Sequence, residues 1–338
     1  DAVIVPASWN AHYEVCIAAM KAGKYVATEV GGAYSVNECW ELVRTSEATG
    51  MPCSMLENAC YSRHELALLN MVKQGIFGEI IHIQGGYEHD LREEVSCGRE
   101  NRHYRFANYA NRNGELYPTH ELGPMCKYIG INRGNRLVSL TSMSSKARGL
   151  RDYILEKRGR DSDIADLEWT QGDIVTTMIK CAHGETMLLV HDTTLPRPYS
   201  RNGRLQGTRG LWMEDGDLVY IDGVSEPHTW DRFTETCQEK YEHPLWAEYQ
   251  RGEVHAGHGG IDYLVLRGFV EAVKNGKQPP IDVYDAATWM AVSVLSEESV
   301  ALGSAPVAVP DFTSGKWFDR KPPVPSKYSL DEICWDLF

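Results

Sequence analysis

Short apolar runs alternate with amphipathic stretches at the start of the chain, and this alternation constrains the fold more than any other feature. Three strands are predicted by the apolar runs at residues 2–5, 25–28 and 52–56. One helix is predicted between Ser8 and Gly23, and a second between the capping box of Ser35 and Glu38 and the stop at Gly50. The resulting β-α-β-α-β order predicts a parallel sheet that binds ligands at the carboxyl ends of its strands.

The pattern changes after a further helix, which is predicted over residues 63–74. Antiparallel strands are predicted at residues 79–87, 174–181 and 186–192 and on both sides of the turn Asp215-Gly216. Helices are predicted at residues 119–129, 262–274 and 285–302, before a proline-rich tail over 306–325. We therefore predict an α/β chain with two parts. Residues 1–75 form the C-terminal portion of a Rossmann-type parallel sheet, and residues 76–338 form an α+β domain with a large, mostly antiparallel sheet.

The composition narrows the classes of partner. The chain has 34 Lys and Arg against 47 Asp and Glu, and this net charge of −13 disfavours nucleic acid and anionic membrane surfaces. No run of about 18 apolar residues predicts a membrane span. The nine cysteines are scattered without a C-x-x-C pair, so we expect buried free thiols and no metal site. A small polar substrate fits this composition best.

The dinucleotide-binding fingerprint G-x-G-x-x-G is absent from the 338 residues. In a doubly wound sheet this motif follows the first strand, and the β-α-β-α-β unit seen here would be the second half of such a sheet. We therefore expect the fingerprint to precede Asp1, and the chain to be a truncated part of a nucleotide-binding domain.

Polar and aromatic side chains follow the predicted parallel strands. Trp9 and His12 open a helix, where His12 either contacts a cofactor or only satisfies local backbone groups. Glu29 and Val30 precede two glycines, which let another molecule approach the backbone closely, although a plain turn would have the same sequence. These residues predict a ligand site at the carboxyl edge of the sheet.

Common hydrolase and kinase motifs are missing from the sequence. There is no serine nucleophile elbow, phosphate-binding loop or H-E-x-x-H. Glu57 and Asn58 end the third strand with a carboxylate and an amide. A carboxylate pair for ordinary glycoside hydrolysis stays open, because such partners meet in space and not in sequence.

A tyrosine and a histidine lie three residues apart at the start of a predicted helix. Tyr117 and His120 can share a proton and serve as general acid and base. Tyr87 ends a predicted strand, Arg105 lies in a predicted loop rich in Arg, Asn and Tyr, and Tyr199 lies in a later loop. Each is a candidate site residue or a common surface residue, and their number on loops favours a site.

The order and spacing of nine short segments are informative. They are Trp9-Asn-Ala-His12, Glu29-Val30, Glu57-Asn58, Gly86-Tyr87, Tyr117-Pro-Thr-His120, Gly130-Ile-Asn-Arg-Gly134, Pro196-Arg-Pro-Tyr199, Gly257-His-Gly-Gly260 and Pro310-Asp-Phe-Thr-Ser-Gly-Lys-Trp317. Together these segments resemble glycoside hydrolase family 109, within the larger Gfo/Idh/MocA oxidoreductase superfamily. The resemblance runs over nearly the whole chain.

The sequence departs in three places from patterns that the resemblance leads us to expect. The superfamily's E-K-P motif is Glu29-Val30-Gly31 here, so its usual lysine is replaced by Val30. Where the superfamily usually has an aspartate, four residues before the histidine His120, this chain has Leu116. Both changes fit family 109 and disfavour a simple sugar dehydrogenase, which would use that lysine and aspartate for proton transfer. Glu121 stands where the family leads us to expect glycine.

The resemblance also implies roles for individual residues. It implies NAD contacts from Trp9, His12, Glu29, Val30, Asn58 and Tyr117. It implies sugar contacts from Tyr87, Arg105, Tyr117, Thr119, His120 and Tyr199. The expected catalytic residues are Tyr117, His120 and Tyr87. A phenol needs a lowered pKa to act as a base, and we expect Arg105 or a charged His120 to lower that of Tyr117.

The implied reaction removes terminal N-acetylgalactosamine, α-linked, with retention. Bound NAD⁺ takes hydride from C3, the C2 proton is lost, the aglycone leaves C1, water adds, and the cofactor returns the hydride. This is a recognised exception to the two-carboxylate scheme of glycosidases. The protein then supplies position and proton transfer, while the cofactor supplies electronic activation.

Two other functions remain open from the sequence. One is an NAD(P)-dependent sugar or inositol dehydrogenase of the same superfamily, and the other is a non-catalytic carbohydrate-binding protein. The resemblance implies a homodimer formed through the open face of the second sheet. It also implies a bacterial protein that is either cytoplasmic or exported by the twin-arginine route.

Overall fold

A computed structural model of the chain describes residues 1–252 and 257–338. The strands are β1 (Ala2–Val5), β2 (Tyr25–Thr28), β3 (Cys53–Met55), β4 (Ile80–Glu88), β5 (Leu137–Ser144), β6 (Ile174–Cys181), β7 (Thr186–Asp192), β8 (Arg204–Gly207), β9 (Gly210–Met213), β10 (Leu218–Ile221), β11 (Asp231–Arg232) and β12 (Val307–Ala308). The helices are α1 (Trp9–Lys21), α2 (Val36–Thr49), α3 (Arg63–Lys73), α4 (Arg92–Ser96), α5 (Tyr104–Asn111), α6 (Thr119–Tyr128), α7 (Gly149–Lys157), α8 (Phe233–Thr236), α9 (Pro244–Arg251), α10 (Ile261–Asn275) and α11 (Val283–Ala301).

The amino-terminal strands form the predicted parallel sheet. Its order is β1-β2-β3, with Val5 opposite Thr28 and Thr28 opposite Met55. The helices α1 and α2 connect these strands, so the β-α-β-α-β prediction is confirmed. The carboxyl ends of β1, β2 and β3 therefore meet at one edge, and the residues that follow them lie near each other.

A nine-stranded sheet forms the second layer, in the order β11-β10-β9-β8-β4-β7-β6-β5-β12. Its neighbours are antiparallel except for β4 and β7, which run parallel from His82 opposite Thr186 to Glu88 opposite Asp192. The prediction of a mostly antiparallel sheet is confirmed. Strands β9 and β10 form a hairpin around Asp215-Gly216, where Gly216 has a φ of 87° that favours glycine.

Several helices have no counterpart among the predicted elements. Most important for the site is α5, because Arg105 lies in its first turn and not in a loop as predicted. The segment 104–111 is rich in Tyr, Asn and Arg, so its helical periodicity is concealed. In residues 1–252 and 257–338, no helix is long and apolar enough to cross a membrane.

Helix α11 lies between the two sheets. It contacts α2 and β3 on one side and β5 on the other, and its Trp289 is fully buried. The cores of the two sheets are thus continuous. The predicted division near residue 75 stays a prediction, since this late helix packs against elements on both sides of it.

Three serines stand at the N-cap of an α-helix, namely Ser8, Ser35 and Ser62, but only Ser35 caps its helix through the side chain. Ser35 Oγ accepts a hydrogen bond of 3.1 Å from the Glu38 backbone N–H, and the Glu38 carboxylate completes the predicted capping box. Ser8 stands at the N-cap of α1 but makes no such bond, and its hydroxyl bonds Asn10 Oδ1 instead. Ser8 therefore stands at the predicted start of α1, but its side chain does not cap the helix.

We expect Ser35→Ala to lower the free energy of unfolding by about 1 kcal/mol, because the backbone N–H of Glu38 loses its partner. The matched control is Ser8→Ala, which should change stability by less than about 0.5 kcal/mol. Urea unfolding followed by circular dichroism measures both values. Equal losses in the two variants would contradict the assignment of the cap.

Candidate functional site

A cavity of about 620 Å³ opens where the carboxyl edge of the parallel sheet meets β4 and α6. Seven of the predicted site residues line it, namely Glu29, Val30, Asn58, Tyr87, Tyr117, His120 and Tyr199. They come from strand ends, helix starts and a loop, so the fold collects them from distant parts of the sequence. The other predicted residues, Trp9, His12, Arg105 and Thr119, lie behind this lining.

Tyr117, His120 and Glu57 form a hydrogen-bonded chain. Tyr117 Oη lies 3.2 Å from His120 Nε2, and His120 Nδ1 lies 2.7 Å from Glu57 Oε1. Glu57 is fully buried, and its Oε1 also accepts the Ala59 backbone N–H at 3.1 Å. A carboxylate accepts hydrogen bonds and does not donate them, so it fixes the proton of the imidazole on Nδ1. Nε2 is then left as the acceptor that faces the tyrosine hydroxyl.

This chain of groups can move a proton. When Tyr117 gives its proton to His120, the buried carboxylate of Glu57 stabilises the imidazolium that forms. The arrangement follows the logic by which a carboxylate orients a catalytic histidine in other enzymes. The sequence placed Glu57 at the sheet edge but did not reveal it as the partner of His120.

The tyrosine hydroxyls of the site stay protonated at rest. Burial raises the pKa of Tyr117 well above its ordinary value, and the opposing effect of Arg105 is smaller. The expectation that Arg105 would give Tyr117 a lowered pKa is therefore wrong in its net direction. The guanidinium lies 5.1 Å from the centre of the Tyr117 ring, so it faces the ring, and it pairs with Glu94 at 2.7 Å.

A second tyrosine and histidine form the opposite wall of the cavity. Tyr87 Oη lies 3.0 Å from His89 Nδ1, and the rings of Tyr87 and Tyr117 meet edge to face at 4.6 Å. Tyr199 packs edge-on against His89 at 5.1 Å and is 53% exposed, so it stands at the mouth of the cavity. These rings present flat surfaces and polar edges, which suit a sugar.

Trp9 and His12 support the site from the start of α1. Trp9 is buried, stacks on Tyr117 at 5.5 Å and packs on the backbone of Gly31, where a Cβ would lie 2.6 Å from Trp9 Cδ1. His12 Nε2 bonds the Ala7 carbonyl at 2.8 Å, and burial lowers the pKa of this histidine. His12 is thus a neutral side chain that satisfies local backbone, and its Nδ1 has no partner among the described residues.

The strand-edge residues Glu29 and Asn58 bring polar side chains to the cavity. Burial is the main cause that raises the pKa of Glu29, and the nearby Glu57 and Asp262 add to it. Asn58 Nδ2 donates to Asp262 Oδ1 at 2.6 Å, which ties this edge to the start of α10. His258 in the predicted 257–260 segment also bonds Asp262, at 2.7 Å.

A buried ionic cluster adjoins the cavity through Arg201, which lines it, and was not predicted. Arg201 Nη2 lies 2.7 Å from His64 Nε2 and 3.3 Å from Glu65, and its Nη1 lies 3.8 Å from Glu121. Burial raises the pKa of Glu121 well above its usual range. A Cβ at Gly85 would overlap the Glu121 side chain, so that glycine makes room for the unexpected glutamate.

Thr119 and Glu115 flank Tyr117 along the chain. Thr119 is fully buried at the start of α6, and its hydroxyl has no partner within residues 1–252 and 257–338, so its sugar contact stays a prediction. Glu115 was missed from the sequence. It accepts the Tyr117 backbone N–H at 3.3 Å, and burial raises the pKa of its carboxyl to about 8.

Comparison with solved structures shows the fold. An NAD binding oxidoreductase from Klebsiella pneumoniae superimposes with a TM-score of 0.68 at 17% identity, covering 92% of this chain and 80% of that one. An inositol dehydrogenase homolog complexed with NAD⁺, from Azotobacter vinelandii, gives 0.65 at 17% identity, covering 91% and 78%. This is the Rossmann-type architecture of the Gfo/Idh/MocA oxidoreductases.

Comparison of sequences shows the family. The model of the glycosyl hydrolase 109 C-terminal domain matches residues 61–319. An alpha-N-acetylgalactosaminidase of Tannerella forsythia is 47% identical over 341 residues, covering 95% of this chain and 73% of that protein. A glycosyl hydrolase family 109 protein of Parabacteroides distasonis is 46% identical, with the same coverage. These matches show that the chain belongs to glycoside hydrolase family 109.

Proposed function

We propose that the protein hydrolyses terminal α-linked N-acetylgalactosaminides in an NAD-dependent reaction. One observation carries the proposal: the Glu57–His120–Tyr117 chain opens onto a sugar-sized cavity in a member of family 109. The name of the Tannerella forsythia relative supports the choice of substrate.

The residues at the sheet edge fit a nicotinamide and its ribose. Val30 and Tyr117 offer an apolar surface on the cavity, while Glu29 and Asn58 offer polar groups beside it. The buried Nδ1 of His12 supplies a further unpaired polar atom. We propose that NAD is held by Trp9, His12, Glu29, Val30, Asn58 and Tyr117.

Proton transfer is the task of the protein's own side chains. Bound NAD would supply the reversible oxidation of the sugar at C3, which makes the C2 proton acidic. In that oxidation the C3 hydroxyl must also lose its proton. Tyr117 Oη accepts it while its own proton passes to His120 Nε2, and Glu57 stabilises the charge. The same path returns the proton at the end of the cycle.

Val30, at the edge of the parallel sheet, favours this reaction over the reaction of a dehydrogenase. Val30 lines the cavity where the wider superfamily has lysine, so no ammonium group is available there for proton transfer. The similarity to dehydrogenases lies below 25% identity and concerns the fold.

The test is an assay of the protein expressed with any sequence that its gene encodes before Asp1. We expect release of p-nitrophenol from the α-linked N-acetylgalactosaminide to depend on NAD⁺, with no net accumulation of NADH. The β-linked substrate serves as the comparison for the anomer.

Other outcomes would overturn the proposal. NADH that accumulates with free sugars, without release of aglycone, would move the assignment to a dehydrogenase. A folded protein that binds the sugar but gives neither signal would be a carbohydrate-binding protein.

A further inference from the structure

The cavity contains a second tyrosine–histidine pair that resembles the first in geometry. Tyr87 is the penultimate residue of β4 and His89 follows two residues later, with 3.0 Å between Tyr87 Oη and His89 Nδ1. Both side chains line the cavity that Tyr117 and His120 also line. The local strand position is fixed because the His89 backbone N–H donates to the Asp192 carbonyl at 2.9 Å.

We propose that His89 is the proton acceptor for Tyr87, so that the site contains two separate tyrosine–histidine pairs that serve two different atoms of the sugar. This inference rests on the proposed function. It adds to that function the residue that would complete removal of the C2 proton.

The reaction needs protons to move at two neighbouring carbons. Tyr117 is stacked on Trp9 at the sheet edge, so its pair is placed for the C3 hydroxyl beside the proposed nicotinamide site. Tyr87 lies on the other side, with its ring 4.6 Å from that of Tyr117 and 6.1 Å from that of Tyr199. One pair cannot hold both protons at once, whereas two adjacent pairs can.

The balance of the step is simple. The C2–H bond breaks, its electron pair forms the C1–C2 double bond, and the bond from C1 to the aglycone oxygen breaks. The aglycone leaves as an anion and takes a proton from water. Tyr87 Oη takes the C2 proton as its own proton moves to His89 Nδ1, which becomes an imidazolium. The oxidant that first forms the C3 ketone is the oxidised nicotinamide dinucleotide. Addition of water to C1 reverses the proton path.

The electrostatics of the pair set its resting state, in which both groups are neutral. Burial raises the pKa of Tyr87, so the hydroxyl needs a partner that removes its proton as it accepts another. Burial and then Arg105 lower the pKa of His89, while Glu94 and Asp90 act in the opposite sense. His89 is therefore neutral at pH 7 and able to accept a proton.

The experiment uses substrates that carry deuterium at C2 or at C3. His89→Asn keeps a polar group near Tyr87 but removes the base, and we expect kcat to fall roughly 100-fold. The isotope effect of the C2-labelled substrate should then increase, since breaking that bond becomes slower, while that of the C3-labelled substrate should decrease. His120→Asn should give the reverse pattern.

The control is His82→Asn, in β4, the strand that carries Tyr87. His82 bonds Thr186 Oγ1 at 2.8 Å and does not line the cavity, so both kcat and the isotope effects should be unchanged. If His89→Asn does not fold, Tyr87→Phe should give the same increase at C2. Slower turnover with unchanged isotope effects would show that His89 is only structural and would overturn the inference.

A second readout does not need turnover. Nitrogen-15 NMR of histidine in the unliganded protein should show Nδ1 of His89 as an unprotonated acceptor, with a shift that changes in Tyr87→Phe. A protonated Nδ1 would overturn the inference, because it could not accept the Tyr87 proton. If the wild-type protein shows no NAD-dependent hydrolysis, the proposed function fails. The NMR result separates that failure from failure of the His89 inference, because it does not depend on turnover.

Discussion

Replacing His120 by asparagine should lower kcat by about 10²- to 10⁴-fold, with little change in the melting temperature. The imidazole is the only proton acceptor within hydrogen-bond distance of Tyr117 Oη among the described residues. Asparagine can bond Glu57 but cannot hold the proton that leaves the sugar. Steady-state release of p-nitrophenol by the NAD-loaded protein measures the effect.

Two further variants test whether these groups act as a unit. Tyr117→Phe should cause a loss of similar size, and the double variant should be no slower than either single one, because both remove the same proton path. Glu57→Gln should cause a smaller loss, since it removes the charge and keeps the shape. The control His183→Asn alters an exposed histidine and should have no effect. Losses that simply multiply would contradict a shared path.

Replacing Asp285 by alanine should destabilise the protein by about 3–5 kcal/mol, the largest loss of stability that we expect. Asp285 is buried in α11 and bonds Lys127 Nζ at 2.8 Å and Arg133 Nη1 at 2.8 Å. Removing it leaves two buried cations without this partner. Urea unfolding at pH 7 measures the loss, and Glu248→Ala, which breaks an exposed pair with Lys327, should cost less than about 1 kcal/mol.

The same carboxylate makes stability depend on pH. Burial alone would raise the pKa of Asp285, but Arg133 and Lys127 hold it well below its usual range. A carboxyl whose pKa is lower in the folded state stabilises the fold above its unfolded value of about 3.9. Its contribution is lost as the pH falls below that value. The variant should therefore lose less stability on acidification than the wild-type protein does, and an equal loss would contradict this assignment.

Local sequence patterns were enough for many of the elements but not for their partners. The strands at 2–5, 25–28, 174–181 and 186–192 have the predicted limits, because alternation and turn residues are local properties. No local sequence pattern predicts the parallel pairing of β4 with β7. Helix α5 was missed because its polar and aromatic residues do not show an apolar stripe.

The same distinction between local patterns and distant partners applies to the candidate site. Tyr117 and His120 lie three residues apart and were predicted as a pair from that spacing. Glu57 lies 63 positions before His120, and no spacing rule joins residues at that distance. His89 stood beside a predicted residue, but only the turn of the chain after β4 shows which hydroxyl it bonds. The family resemblance supplied the sugar-binding and NAD-binding residues, and their roles stay predictions, as do the homodimer and the compartment.

The position of β4 between β7 and β8 has a consequence for biosynthesis. Strand β4, which carries Tyr87, pairs along one edge with β7, where His82 lies opposite Thr186, 104 positions later in the chain. Its other edge is covered by β8. Contacts over such a distance close late, since the chain must first lose the entropy of a long loop. During translation the wall of the cavity therefore cannot form until β7 has left the ribosome, well after the parallel sheet has been synthesised. Until then, β4 exposes two unpaired edges, which makes the nascent chain dependent on protection from aggregation at this stage.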